Sequence, residues 1–292
     1  MKFSIVTPSY NSAKYIRETI ESVLTQKGPF EVEYHVQDGG SADETITILE
    51  EYDERVRNRE FGQSLTFTWK SEVDRGMYDA INKGFSQVSG DVYAWINADD
   101  AYERDAFAQI THILESYPDI VWLKGTSSLI DESSKVLREG RCFIYRQDWL
   151  KRGVYGVRAY HVEQDSVFWR SSLWDHVHSI PNQYRLAGDY WLWTQFALYT
   201  KLWSVNVPIS RFRKSPSQLS KQVKQYRDEQ LATAPKSHSV GVFFGLWSKS
   251  LPFGCSWIFE FLYPIFFFRS VEYIRSKNGN KTKSSTVRFW VH

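Results

Sequence analysis

The run Val92-Tyr93-Ala94-Trp95-Ile96-Asn97-Ala98-Asp99-Asp100 reads as a strand covered on both faces that ends abruptly in two adjacent carboxylates. The polar end of such a strand opens at a crevice. Carboxylates there supply the hard oxygen donors that hold magnesium or manganese, usually shared with substrate phosphates, so Asp99 and Asp100 read as a diphosphate anchor. An isolated Asp-Asp pair is also an ordinary turn capping the next helix, and the other segments must decide between the two. Two more polar loops follow short apolar runs. Pro8-Ser9-Tyr10-Asn11 is one and Asp38-Gly39-Gly40-Ser41 the other. The paired glycines let backbone approach a ligand closely, and Asp38 could accept hydrogen bonds from a base imide or a ribose hydroxyl. Neither a G-x-G-x-x-G fingerprint nor a Walker P-loop is present, so dinucleotide redox chemistry and ATP hydrolysis lose support.

The elements that must position these loops alternate in type. Strand patterns at Phe3 to Thr7, Val32 to Gln37, Leu65 to Trp69, Val92 to Ile96 and Ile120 to Lys124 enclose helical patterns. Ile16, Ile20, Val23 and Leu24 mark one amphipathic helix, and Phe107, Ile110, Ile113, Leu114 and Tyr117 another. Ser41-Ala42-Asp43-Glu44 has the spacing of a capping box opening a third. Met77, Ile81, Phe85 and Val88 form a core stripe, which leaves Tyr78, Asn82 and Lys83 either to a solvated face or to a functional role. This βαβα order predicts an α/β fold, a Rossmann-like and mostly parallel sheet flanked by helices, with the loops after the strand C-termini converging on one crevice.

At 292 residues the chain fits one large domain with an appendage. Its 12 Trp, 17 Tyr and 19 Phe suit a core, a sugar-stacking surface or a membrane interface. The net charge of +2 hides a division at residue 200: 21 Lys+Arg against 30 Asp+Glu before it (−9), then 15 against 4 after it (+11). A basic C-terminal third points to an anionic partner, with a phospholipid surface and nucleic acid the usual candidates. Nucleic acid is set aside because the tail lacks the interleaved aromatics of a single-strand groove. Cys142 and Cys255 lie far apart, without neighbours at ligand spacing, so neither a disulfide framework nor a zinc site is indicated. The N-terminus passes straight into a strand without a secretory signal pattern, and a cytoplasmic location is expected.

Taken in order, Phe3-Ser4-Ile5-Val6-Thr7-Pro8-Ser9-Tyr10-Asn11, Val36-Gln37-Asp38-Gly39-Gly40-Ser41-Ala42-Asp43-Glu44-Thr45, Asp74-Arg75-Gly76-Met77-Tyr78-Asp79-Ala80-Ile81-Asn82-Lys83-Gly84 and Asn97-Ala98-Asp99-Asp100 resemble glycosyltransferase family 2. The set spans about a third of the chain. The fit is closest to the branch that builds bacterial exopolysaccharide and O-antigen units. There Glu163-Gln164-Asp165-Ser166-Val167-Phe168-Trp169-Arg170 is similar to the acceptor-side segment, and Ala187-Gly188-Asp189-Tyr190-Trp191-Leu192-Trp193 to the one carrying the catalytic carboxylate. The resemblance implies an inverting enzyme of GT-A fold using a nucleotide-diphosphate sugar, most simply a UDP-sugar, with Mn2+ or Mg2+. It assigns Pro8, Tyr10, Asn11, Asp38, Gly39, Asp74, Arg75, Asn97 and Asp99 to the donor, Asp99 with help from Asp100 to the metal, Gln164 and Trp191 to the acceptor, and Asp189 to the general base. Asn97 stands where the family's aspartate-x-aspartate signature often begins with a carboxylate, which lowers the local charge. His161 is more simply a structural histidine.

The expected organisation is a GT-A domain over 1–215, divided into a nucleotide-sugar part at 1–125 and an acceptor part at 126–215. A helical extension at 216–275 and a basic tail at 276–292 follow. Between Val240 and Ile274 the uncharged stretches Leu251 to Phe259 and Phe261 to Phe268 fall short of the roughly 20 residues a spanning helix needs. Trp247, Trp257, Phe261 and Phe266 to Phe268, followed by Arg269, Arg275, Lys277, Lys281 and Lys283, fit helices lying on an anionic leaflet, or equally a homodimer surface. The acceptors of this branch, glycans on a polyprenyl diphosphate, favour the leaflet and a peripheral place on the inner face of the plasma membrane. Two other functions compete. A sugar nucleotidyltransferase would carry a Gly-rich, basic first loop that Pro8-Ser9-Tyr10-Asn11 does not supply, and a carbohydrate-binding scaffold would show no donor cleavage.

Overall fold

The computed structural model describes residues 1–62, 64–156, 161–215 and 222–233, with the backbone of two strands at Ser270–Lys277 and Ser284–Val291. In chain order the elements are β1 (Lys2–Ser9), α1 (Ile16–Leu24), β2 (Glu31–Asp38), α2 (Thr45–Arg57), β3 (Leu65–Ser71), α3 (Met77–Phe85), β4 (Val92–Trp95), β5 (Ala101–Tyr102), α4 (Ala106–Ser116), β6 (Trp122–Ile130), β7 (Val136–Arg138) and α5 (Gln147–Lys151). There follow β8 (Val167–Arg170), α6 (Ser171–Trp174), α7 (Gly188–Tyr199), β9 (Trp203–Arg213), α8 (Val223–Thr233), β10 (Ser270–Lys277) and β11 (Ser284–Val291).

One sheet runs β10-β11-β9-β6-β8-β4-β1-β2-β3. β1 is fully sheltered from Phe3 to Ser9 because it lies between β2 and β4, which accounts for its unbroken apolar reading. Successive residues face opposite layers. Phe3 and Ile5 pack with Ile20 and Leu24 of α1, Leu49 of α2 and Phe107 of α4. Val6 faces a second, aromatic layer of Ile81 and Phe85 of α3, Trp95, Trp122, Trp169, and Trp193 and Phe196 of α7. In that layer the Trp95 and Trp193 rings stack with centroids 5.7 Å apart. Each large side chain buried there is worth about 1.5–3 kcal/mol relative to exposure, so many of the aromatics the sequence left unassigned belong to the core.

Parallel pairing joins β4-β1-β2-β3 and, separately, β6 with β9. β8 is inserted antiparallel between β4 and β6. The direction follows from where each strand meets the rim: β4 runs toward it and delivers Asn97 there, whereas β8 starts from it, immediately after Gln164. This places the segment around residues 161–166 beside the loop carrying Asp99.

Three local expectations change. The capping box at Ser41 and Glu44 is not formed; α2 opens at Thr45 without a side-chain cap, and the Ser41 hydroxyl donates to Asp38 instead, at 2.5 Å. Within the stretch expected to be helical, α8 is a helix but Ser270–Lys277 is a strand, and Ser284–Val291 of the expected tail is its antiparallel partner. Both sequences are rich in β-branched and aromatic residues, which favour strands. Trp247, Trp257, Phe261, Phe266, Phe267, Phe268 and Arg269, with the rest of the membrane expectation at 240–269, lie outside the described residues. Among the described residues no helix is long and apolar enough to cross a membrane.

Candidate active site

The parallel strands end in register at one edge, where Ser9 pairs with Asp38 and Asp38 with Ser71. Beyond that edge lies a cleft of about 1360 Å³ lined by the loops after β1, β3 and β4, by the segment preceding β8, by the start of α7 and by α8. Asp99 and Asp189 both line it.

On the donor side, Pro8, Tyr10, Asn11, Gly39 and Asp74 form the wall. The Tyr10 ring is 66% exposed and free to meet a planar ligand. Asn11 adopts a left-handed backbone (φ 49°) and ties two loops together: its amide donates to Ser41 Oγ at 2.7 Å and its Oδ1 accepts from the Ala42 amide at 2.9 Å. Asp74 Oδ1 accepts from the Gly76 amide at 2.7 Å, and burial raises its pKa, with Asp79 and Asp38 adding to the rise. Two donor-side expectations are corrected. Asp38 is fully buried and does not line the cleft; Oδ2 accepts from the amides of Gly40 and Ser41, each at 2.9 Å, and from Ser71 Oγ at 2.7 Å, so it organises the loop instead of facing a ligand. Arg75, between Asp74 and Gly76, is not among the residues lining the cleft; its guanidinium is exposed and bound to Asp79 at 2.9 Å.

At the floor, Asn97, Asp99 and Asp100 behave differently from one another. Asp100 is 1% exposed, and its Oδ1 accepts from the Arg213 amide at 2.8 Å. Burial pushes its pKa well above the ordinary carboxylate range, with Asp99 and Asp165 pushing the same way. Asp100 lines the cleft with Asp99, its Oδ1 on the Arg213 amide and its Oδ2 3.4 Å from Asn97 Nδ2. Arg213 clamps the loop: its Nε donates to the Asp99 carbonyl at 2.8 Å, Nη1 to the Asp131 carbonyl at 2.9 Å, and Nη2 to Glu18. Asn97 Oδ1 is buried with no hydrogen-bond partner among the described residues. Asn97 and Asp99 both line the cleft, and an orphaned amide oxygen with a carboxylate is an all-oxygen donor set, which fits a hard cation. Among the described residues no group of three or more His, Cys, Asp or Glu side chains could hold a metal.

Across the cleft, α7 begins at Gly188 and carries Asp189 in its first turn, where the helix dipole favours an anion. Two phenols flank the carboxylate. Tyr226 Oη of α8 lies 3.2 Å from each carboxylate oxygen, and Tyr78 Oη of α3 lies 3.3 Å from Oδ1 while accepting from the Asp189 amide at 3.1 Å. Burial raises the Asp189 pKa, and the Tyr190 amide, Tyr226, His161 and Tyr78 hold the rise in check. Gln164 and His161 line the same cleft, the former donating to the Trp95 carbonyl at 2.7 Å. Trp191 does not line it; its ring packs on Tyr184, 5.9 Å away, which corrects the acceptor expectation there. Two nearby carboxylates serve structure. Glu163 is held below the ordinary range despite burial by its ion pair with Lys124, and Asp165 accepts from Ser127 and from Ser210 Oγ at 2.5 Å.

The family model for glycosyl transferase family 2 matches residues 4–177. The chain belongs to that family. A glycosyltransferase of Mycobacterium tuberculosis is 30% identical over 131 residues, 44% of this chain and 46% of that one. A PGL/p-HBAD biosynthesis glycosyltransferase of Mycobacterium bovis is 27% identical over 192 residues, 64% of this chain and 66% of its own length. The chain thus spans about half the length of the first of these relatives. Staphylococcus aureus TarS 1-349, solved with UDP-GlcNAc, superposes with TM-score 0.59 at 16% identity over 89% of this chain and 76% of that one. The mannosyltransferase PcManGT from Pyrobaculum calidifontis, solved with GDP-Man and Mn2+, gives TM-score 0.55 at 15% identity over 91% and 81%. These likenesses establish the GT-A type of mixed α/β fold.

In this family 2 chain the matched region stops before Asp189, and the residues that hold Asp189 are the least visible in sequence. The solvated-face reading of Tyr78 is corrected, since that residue is 2% exposed and its hydroxyl is spent on the start of α7. Tyr226 and Glu229 fall outside every motif the sequence offers. The Glu229 carboxylate accepts from the amides of Arg185, Leu186 and Ala187 at 3.1, 2.9 and 2.9 Å, docking α8 onto the start of α7. A usable signal is present: Tyr226, Glu229, Gln230 and Thr233 recur at helical spacing, but as a polar stripe that an apolar-periodicity search passes over.

Proposed function

We propose that the protein is an inverting glycosyltransferase that moves a sugar from a nucleotide-diphosphate donor to a hydroxyl of a glycan or lipid-linked acceptor in bacterial surface polysaccharide synthesis. The observation that carries this reading is the single cleft shared by Asp99 and Asp189. Structural neighbours solved with UDP-GlcNAc and with GDP-Man and Mn2+ support a nucleotide-sugar donor, and we take a UDP-sugar as the first choice. Residues 1–125 supply the donor side and 126–215 most of the acceptor side. A polyprenyl-diphosphate glycan reached from the inner face of the plasma membrane is the acceptor we favour.

The work divides by chemistry. Tyr10, Gly39 and Asp74 receive the nucleotide, the aromatic ring offering a stacking face. Asp99 and the free oxygen of Asn97 would hold Mn2+ or Mg2+, which as a Lewis acid neutralises the departing diphosphate. Asp189 takes the proton of the acceptor hydroxyl as that oxygen attacks the anomeric carbon from the face opposite the leaving group, so an α-linked donor yields a β-product. Burial raises the Asp189 pKa, which makes its carboxylate a stronger base toward that proton.

Two measurements test the reading. Thermal-shift screening of nucleotide diphosphates and their sugars with Mn2+ should find a stabilising donor. Slow donor hydrolysis above an Asp99→Ala control, with a β-product by NMR once an acceptor is supplied, is expected; an α-product sinks the inverting mechanism, and no cleavage above the control points to a scaffold.

A further inference from the structure

The contacts of α8 exceed what a connecting helix needs. Glu229 gathers three amides ahead of α7, Thr233 Oγ1 lies 2.9 Å from Tyr184 Oη, and Tyr226 places one hydroxyl equidistant from both oxygens of Asp189. Tyr226, Arg227 and Gln230 line the cleft itself. From this geometry we infer that α8 is part of the catalytic unit, with Tyr226 a positioning residue that orients the Asp189 carboxylate toward the acceptor. The inference rests on Asp189 being the base.

A carboxylate on a first helical turn can rotate about its own side-chain bonds, and each misdirected rotamer is unproductive. A phenol bonded to both oxygens fixes the carboxylate plane, and Tyr78 on the other side limits its swing. The same bond favours the ionised form. The groups acting on Asp189 are Tyr78 from α3, Tyr226 from α8, His161 from the segment before β8 and the Tyr190 amide; Arg227 lines the same cleft, and Glu229 binds the amides just ahead of α7. Of these, Tyr226 can lose its contact without removing a charge or a backbone partner. The ring also packs on Ala187 and Tyr190, so phenylalanine retains the apolar contact.

The test is Tyr226→Phe in the full chain, followed as kcat against pH, donor affinity by calorimetry, and thermal midpoint. The acid limb of kcat should move up by about one pH unit, as expected for losing one hydrogen bond to a charged group. Plateau kcat should fall about tenfold while donor affinity holds. Glu229→Gln, which weakens the docking of α8 but keeps the phenol, should shift the limb in the same direction by less, and it stands in if the first variant does not fold. An unmoved acid limb, with or without a lower thermal midpoint, overturns the inference, since a purely structural role would lower stability alone. The two readings fail separately: an Asp189→Asn enzyme that keeps its turnover sinks the base assignment, whereas an inactive Asp189→Asn beside an unaltered Tyr226→Phe sinks only the role of Tyr226.

Discussion

Adjacent glycines after β2 should fail in opposite ways. Gly39 has no left-handed backbone to protect, yet a Cβ there would lie 2.5 Å from Asp74 Oδ2 and 3.4 Å from Tyr10 Cδ2. The Asp74 carboxylate would have to retreat by about 1 Å to restore a normal contact. Its other oxygen is held at 2.7 Å by the Gly76 amide, and disturbing that bond costs about 1–2 kcal/mol. Asp74, on the proposed nucleotide wall, must move while Tyr10 stays in ordinary contact, so Gly39→Ala should weaken UDP binding about tenfold, equivalent to about 1.4 kcal/mol. Gly40 presents the reverse case. Its φ is +86° and the nearest atom to an added Cβ is Val73 Cγ2 at 3.5 Å, so Gly40→Ala meets strain of about 1–2 kcal/mol but no clash with the wall. Calorimetric titration with UDP and Mn2+, paired with urea unfolding, separates the two: similar losses of stability, but UDP affinity reduced for Gly39→Ala and within about twofold of wild type for Gly40→Ala. Wild-type affinity in Gly39→Ala, or equal weakening in both, would refute the placement of the nucleotide against Gly39, Tyr10 and Asp74.

Replacing Asp189 with Asn should reduce turnover at least ~100-fold while leaving donor affinity intact, and a comparable loss of affinity would mark a donor-site or structural residue instead. The same variant should be the more stable protein at pH 8. A carboxyl whose folded pKa is raised favours folding below its unfolded value of about 4 and loses that advantage as pH climbs through the raised value, so the gain in thermal midpoint should vanish as pH falls into the ordinary carboxylate range. Arg213→Met keeps the apolar stem but removes the guanidinium bonds to the Asp99 and Asp131 carbonyls and to Glu18, which keeps Ser134 and Arg211, and should cost about 2–4 kcal/mol in urea unfolding. A loss below about 1 kcal/mol would show that other bonds hold the Asp99 loop.

Strand and helix patterns through residue 125 were legible because β1 and β2 are buried on both faces and read as short unbroken runs, whereas α4 buries one face at helical spacing. The cleft was legible as well, since parallel strands must deliver their loops to a common edge. Side-chain direction was not. Asp38 and Asp99 both follow apolar strands, and only the turn geometry sends one inward to amides and leaves the other lining the cleft. Trp191 and Asp189 are two residues apart on one helix and therefore cannot share a face, a constraint available from spacing alone once the helix is known to start at Gly188. The antiparallel entry of β8 depends on pairing with β4 and β6, which are remote in sequence, and Tyr226 reaches Asp189 across 37 positions with a polar contact that leaves no hydrophobic pattern.

The clamp by Arg213 has a consequence for biosynthesis. The residue that fixes the Asp99 carbonyl comes 114 positions after it. At translation rates of about 5–20 residues per second, the polypeptide bearing Asp99 waits roughly 6–23 s for its fastener to be made. Nascent chains can assemble the first four parallel strands during that interval, but the ribosome must finish β9 before the turn carrying Asp99 is locked, so a half-made chain presents that turn unfastened.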